Sequence, residues 1–151
     1  METDNTLTVL EVKKTVSAKP DRVFQALTEP EQMNLSMYGL DEGRTEAEID
    51  LRPGVAYTLK MIRPNGEVAY EPHGKYLKID PPHKISMTWS SEGFIDHSVL
   101  SFELREVENG TEIIIRHELP EFTIADHRDG WTTCLDHCEK MLASRWVRGI
   151  C

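Results

Sequence analysis

The run from Gly110 to Cys138, GTEIIIRHELPEFTIADHRDGWTTCLDHC, changes its hydrophobic period at Pro120. Before the proline, residues alternate, so Ile113, Ile115 and His117 share one face of a strand. After it, Ile124, Trp131, Leu135, Cys138 and Leu142 recur on one face of a helix. The spacing predicts a strand over Thr111–Leu119 and an amphipathic helix from Ile124 to about Val147. Such a helix is roughly 35 Å long at the standard rise per residue, and a ten-residue strand spans roughly 33 Å. A helix matched in length to its strands can lie along the concave face of a curved sheet. Because it is only about 10 Å across, it leaves room for a cavity beside it.

Working upstream, Leu10, Val12 and Val16 mark a first strand over Leu7–Val16. Pro20 and Asp21 suit the first turn of a helix carrying Val23, Phe24 and Leu27, and a second short helix is expected from Pro30, with Met33 and Met37. Strand-like runs follow at Ala47–Leu51, Val55–Ile62, Val68–Ile79, Lys84–Trp89 and Ser98–Val107. Arg52-Pro-Gly54, Pro64-Asn-Gly66, Asp80-Pro-Pro82, Glu92-Gly93 and Glu108-Asn-Gly110 separate them. Connections this short favour antiparallel neighbours, since parallel crossovers need a dozen or more residues. The expectation is one α+β domain over residues 1–151, a meander of about seven strands wrapped around a long C-terminal helix.

Acidic residues outnumber basic ones by 26 to 17, and Lys and Arg form no cluster that could track a phosphate backbone. Nucleic acid is therefore not expected as a partner. METDNTLTVLEV does not read as a leader, and no apolar run reaches membrane-spanning length, so a cytoplasmic protein with no membrane insertion is expected. The 3 cysteines are expected to be reduced.

His127, Cys134, His137 and Cys138 raise the question of a metal. Residues eleven apart on one helix lie roughly 16 Å apart along its axis, so His127 and Cys138 cannot share an ion. Cys134 and Cys138 interleave with Trp131, Leu135, Met141 and Leu142, and they read as small core residues. No metal and no cofactor is expected. Asp136 and His137 fall towards the helix edge, and Cys151 is expected to be exposed.

In this order of elements, a set of motifs carries a family likeness. They are Ala18-Lys-Pro20-Asp-Arg-Val-Phe24-Gln-Ala-Leu-Thr-Glu-Pro30-Glu, Asp50-Leu-Arg-Pro-Gly54, Gly74-Lys-Tyr76-Leu-Lys-Ile-Asp-Pro-Pro82, Met87-Thr-Trp89, Gly110-Thr-Glu-Ile-Ile-Ile-Arg-His117 and Gly130-Trp131. The chain resembles the START-like (SRPBCC) superfamily with its helix-grip fold, and within it the family related to the activator of the heat-shock chaperone ATPase. The resemblance implies a small apolar or amphipathic ligand held between sheet and helix, with some relatives acting as cyclases or hydratases and others as stress-linked or chaperone-partnered modules. A monomer or homodimer fits either role. Two departures stand out: Met33-Asn-Leu-Ser-Met-Tyr38 lacks the tryptophan usual after the second helix, and Pro53-Gly54-Val55 has one glycine where two are usual.

Phase along the strands then selects the cavity lining. Tyr57, Leu59 and Met61 share a face, as do Met87 and Trp89, Ser98 and Leu100, and Ile115 and His117; from the helix, Trp131 and Leu135 face them. Large rings with one polar atom serve pockets as well as cores. His117 with Asp96 or Tyr57 is the one pairing that acid–base chemistry could use, and no nucleophile or phosphate-loop motif accompanies it.

Overall fold

The computed structural model describes residues 7–29, 44–91 and 95–143. Strand β1 (Leu7–Val16) leads into helix α1 (Pro20–Thr28). Seven further strands follow: β2 (Arg44–Glu48), β3 (Ala56–Ile62), β4 (Val68–Tyr70), β5 (His73–Asp80), β6 (Lys84–Ser91), β7 (Ile95–Val107) and β8 (Gly110–Pro120). A short 3-10 turn (Glu121–Thr123) then leads into the long helix α2 (Ile124–Ala143). The second short helix expected from Pro30 lies outside the described residues.

The sheet runs β1-β8-β7-β6-β5-β3-β2, with β4 paired to β3. Strands β2 to β8 form the expected antiparallel meander, and β1 closes its far side against β8 from Leu7↔Pro120 to Val16↔Thr111. The curled sheet and long terminal helix are the helix-grip arrangement. One expected strand, Val68–Ile79, is two. Pro72 has no N–H for the ladder, and the break at Glu71-Pro72 leaves β4 and β5 as separate pieces against β3, although the Leu59 N–H still donates to the Pro72 carbonyl.

Gly110 turns β7 into β8 at φ 153°, where a Cβ would stand 2.0 Å from the Val16 carbonyl oxygen. Only glycine permits that approach. Gly74 is constrained similarly, since a Cβ there would meet the Thr88 carbonyl oxygen at 2.1 Å.

Helix α1 starts on Pro20 with Asp21 in its first turn and buries Val23, Phe24, Ala26 and Leu27. Helix α2 buries Trp131, Leu135, Cys138 and Leu142 on the face predicted by their spacing. Each such side chain contributes roughly 1.5–3 kcal/mol of burial, less for the cysteine. On the same helix, Asp136 and Glu139 take Lys14 Nζ of β1 at 3.1 and 3.3 Å, which ties the C-terminal half of α2 to that edge of the sheet.

Candidate functional site

The concave face is organised in rows that cross the strands. Trp89 stands opposite Ser98, Met87 opposite Leu100 opposite His117 opposite Leu10, and Ile85 opposite Phe102 opposite Ile115 opposite Val12. Alternation along each strand places these residues inward, where they are buried. Tyr57, Leu59, Trp131 and Leu135 complete the same interior. Met61, in phase with Tyr57 and Leu59 on β3, is half-buried, and Ile62 beside it is buried.

The space between the sheet and the N-terminal half of α2 is occupied by rings. The Trp89 centroid lies 5.2 Å from His117 and 5.7 Å from Trp131, with His117 edge-on to it. Phe102 meets Trp131 edge-on at 5.6 Å, and Tyr57 lies 6.5 Å from Trp89 and 5.2 Å from Tyr76. Two more rings belong to this cluster that strand phase did not select as lining. Tyr70 of β4 lies 6.3 Å from Trp89, and His127 of α2 lies 5.4 Å from His117 and 6.5 Å from Tyr70. His127 stands four residues before Trp131, which is the helical spacing that could have found it. Tyr70 carried no such signal, because its place depends on the break at Pro72.

The polar atoms of the cluster are joined in two relays of the same sense. In the first, Trp131 Nε1–H donates to His117 Nδ1 at 3.1 Å. With Nδ1 accepting, the proton of a neutral His117 is on Nε2, which faces Ser98 Oγ at 3.4 Å. The Ser98 hydroxyl in turn donates to the Trp89 carbonyl at 2.8 Å. In the second, Trp89 Nε1–H donates to Tyr70 Oη at 3.0 Å, and Tyr70 Oη faces His127 Nε2 at 3.4 Å. His127 Nδ1 faces the Thr123 carbonyl at 3.0 Å, which assigns its proton to Nδ1 and leaves Nε2 to accept from Tyr70.

His117 is fully buried, and its burial, helped by the neighbouring His127 ring, pushes its pKa down to about 3. The hydrogen bonds require the same state, since a proton on Nδ1 would face the Trp131 N–H donor to donor. Burial likewise pushes the Tyr76 hydroxyl up to about 12 and the Tyr57 hydroxyl higher still; Tyr57 donates to the Thr88 carbonyl at 2.6 Å and makes no pair with His117. The Asp96 side chain lies outside the described residues. Among the described residues, the buried polar side chains are Thr28, Thr45, Ser98, Thr111, His117 and Thr123, all uncharged at neutral pH.

Further along α2, burial pushes the Cys134 and Cys138 thiols up to about 12, which makes both poor nucleophiles and poor metal ligands as they stand. Among the described residues, no group of three or more His, Cys, Asp or Glu is placed to hold a metal ion. No helix of the described residues is long and apolar enough to cross a membrane.

The profile of the family described as Activator of Hsp90 ATPase homolog 1-like protein matches residues 17–143. Solved structures share the fold at low identity. Protein CV1439 from Chromobacterium violaceum aligns with a TM-score of 0.81 at 20% identity, over 90% of this chain and 97% of that one. The AHSA1-like protein from Aeromonas hydrophila aligns at 0.79 and 16% identity, over 95% and 94%. CalU16 from Micromonospora echinospora aligns at 0.72 and 22% identity, over 94% and 80%. No curated protein matches the sequence.

Proposed function

We propose, from the premise that this chain belongs to the Activator of Hsp90 ATPase homolog 1-like family, that it binds a small, uncharged, apolar or amphipathic molecule between its sheet and α2. One observation carries the reading. At the rim of a charge-free aromatic interior, Tyr70 and His127 are only half-buried, and their polar atoms converge with the Trp89 indole N–H. Ligand sites are typically apolar concavities with a few convergent polar groups. Tyr57, Trp89, His117 and Trp131 supply the apolar walls, and Met87, Leu100, Ile115, Leu59 and Leu135 lie behind them in the same interior.

Acid–base catalysis through His117 is disfavoured, because its lone pair on Nδ1 already accepts from Trp131 and its pKa lies far below neutrality. A chaperone-partnered role has its motive in the family description alone. No described surface of the chain selects it over ligand binding.

Calorimetric titration of the full chain with 2-methylnaphthalene tests the proposal, together with native mass spectrometry of freshly purified protein. Saturable binding with a negative heat-capacity change, or a released mass of a few hundred daltons (about the drug-sized range such pockets enclose), is the expected result. Absence of both refutes it.

A further inference from the structure

The two edges of the sheet differ in what they offer to a further strand. At one end of the strand order, β2 has 5 residues, and so short an edge gives little to pair with. At the other end, β1 has 10 residues and contains neither proline nor glycine. It pairs with β8 without a register shift from Leu7↔Pro120 to Val16↔Thr111. Along its other side, no strand of the described residues is paired to it. Every second residue of such a strand points its N–H and C=O away from the sheet, which makes the edge a template for one more antiparallel strand.

The side chains select the occupant. On the convex face β1 presents Val9, Glu11, Lys13 and Thr15, all exposed. A lysine on an edge repels many foreign strands, but here Glu11 and Lys13 flank Val12 symmetrically. Two copies of β1 paired antiparallel about a two-fold axis at Val12 set Glu11 of each copy against Lys13 of the other, and Val9 against Thr15. Opposed residues of an antiparallel pair share a face, so the axis passes through a residue and not between two. At Glu11, Lys13 or Lys14 it would set like charges against each other, and at Leu10 it would set neither Glu11 nor Lys13 against its opposite. Of these central positions, Val12 alone gives complementary pairs.

The contacts already present agree with that register. Arg116 Nη1 takes Glu103 at 3.1 Å and Arg116 Nε takes Glu11 at 3.0 Å, while Lys13 Nζ reaches Glu11 of its own strand only at 3.8 Å. Lys13 of a second copy therefore extends the alternating series Glu103, Arg116, Glu11 by one more cation. On the concave face Lys14 falls opposite Leu10 of the second copy, with its charge already met by Asp136 and Glu139. We infer that β1 is a self-association edge, and that its partner is a second copy of this chain joined antiparallel through Val12 so that one sheet runs through both.

The test is sedimentation velocity of the full chain over a range of concentrations. The wild type is expected to approach reversibly the mass of two 17.3 kDa chains, less readily as salt is raised. Lys13→Glu and, separately, Glu11→Lys set like charges opposite each other twice and should each raise the dissociation constant roughly tenfold or more. An equimolar mixture of the two variants should recover the dimer, because each supplies the sign the other lacks. Thermal melts establish that each variant is folded, and Lys13→Gln, which removes the charge alone, should still weaken the dimer if the reversals do not fold. Spin labels at Val9→Cys or Thr15→Cys, each in a Cys134→Ser/Cys151→Ser chain, should report the register, since both positions lie three residues from the axis and place their Cα atoms about 20 Å from their counterparts. A wild type that stays monomeric at every concentration overturns the inference. So does a dimer that Lys13→Glu and Lys13→Gln leave intact, that the mixture does not restore, or whose two label distances are unequal.

Discussion

Lowering the pH from 7 to 5 charges histidines in the unfolded chain and leaves His117 neutral in the folded one. Its folded pKa of about 3 lies below the ordinary 6.5, so between these values the unfolded state holds the extra proton. The associated stability is complete above pH 6.5 and is lost as pH falls towards 3. From pH 7 to pH 5 the loss is about 2 kcal/mol, from the 1.5 units below 6.5 at about 1.4 kcal/mol each. Carboxylates titrate over part of the same range, so the quantity to read is a difference. His117→Gln keeps an N–H for Ser98 and an oxygen for Trp131 but does not titrate. Urea unfolding of both proteins at pH 7, 6.5, 6, 5.5 and 5 should show the wild type's advantage narrowing by about 2 kcal/mol. Parallel stability curves would refute the neutral, doubly bonded His117 and with it the assignment of the first relay.

Four other outcomes are expected. Trp131→Phe leaves His117 Nδ1 without its donor and should lower stability at pH 7 by about 1–3 kcal/mol, with the slope between pH 7 and 5 reduced as the freed nitrogen becomes easier to protonate. Gly130→Ala, in α2 with open space at the added Cβ, should raise stability by about 0.5–1 kcal/mol, whereas Gly110→Ala should prevent folding or cost several times more, as thermal melts would show. Ile62→Ala should cost roughly 2–4 kcal/mol and Met61→Ala clearly less; the reverse order in urea titrations would deny the deeper burial of Ile62. With Cys134→Ser and Cys151→Ser, Cys138 should react with a disulfide reagent only at the rate of opening of α2, and rapid labelling of the folded chain would contradict its burial.

Period carried most of the fold. The change at Pro120 located β8 and α2 to within a residue at the described ends, and the short turns ordered the meander. What period does not contain is a break in phase. Pro72 splits one expected strand into β4 and β5, and where Met61 pairs with Tyr70 and Ile62 with Val68 the extra residue, Ala69, falls in β4, a bulge that alternation counts as paired. The interior face of β6, β7 and β8 was legible for the same reason the strands were, and Ser98 fell into it by phase alone. The relays were not legible. Trp131 and His117 are 14 residues apart and Tyr70 and His127 are 57 apart, so only the folding of α2 across the sheet makes them neighbours. His127 was noticed for its spacing to the cysteines, whereas its role follows from its spacing to Trp131.

The distribution of charge bears on what the interior can receive. Ionic contacts lie on the outside of the sheet and helix: Arg116 bridges Glu11 and Glu103 across three strands, Arg105 meets Glu112, and Lys14 ties β1 to α2. Inside, hydrogen bonds run from indole to imidazole to hydroxyl or carbonyl, each group used in its neutral form. A buried charge would cost several kcal/mol of desolvation unless paired, and one unpaired neutral donor or acceptor costs about 1–3 kcal/mol. On the proposed ligand-binding reading, such a cluster favours a neutral molecule that completes its bonds over an ion, to which the two relays offer no charged partner.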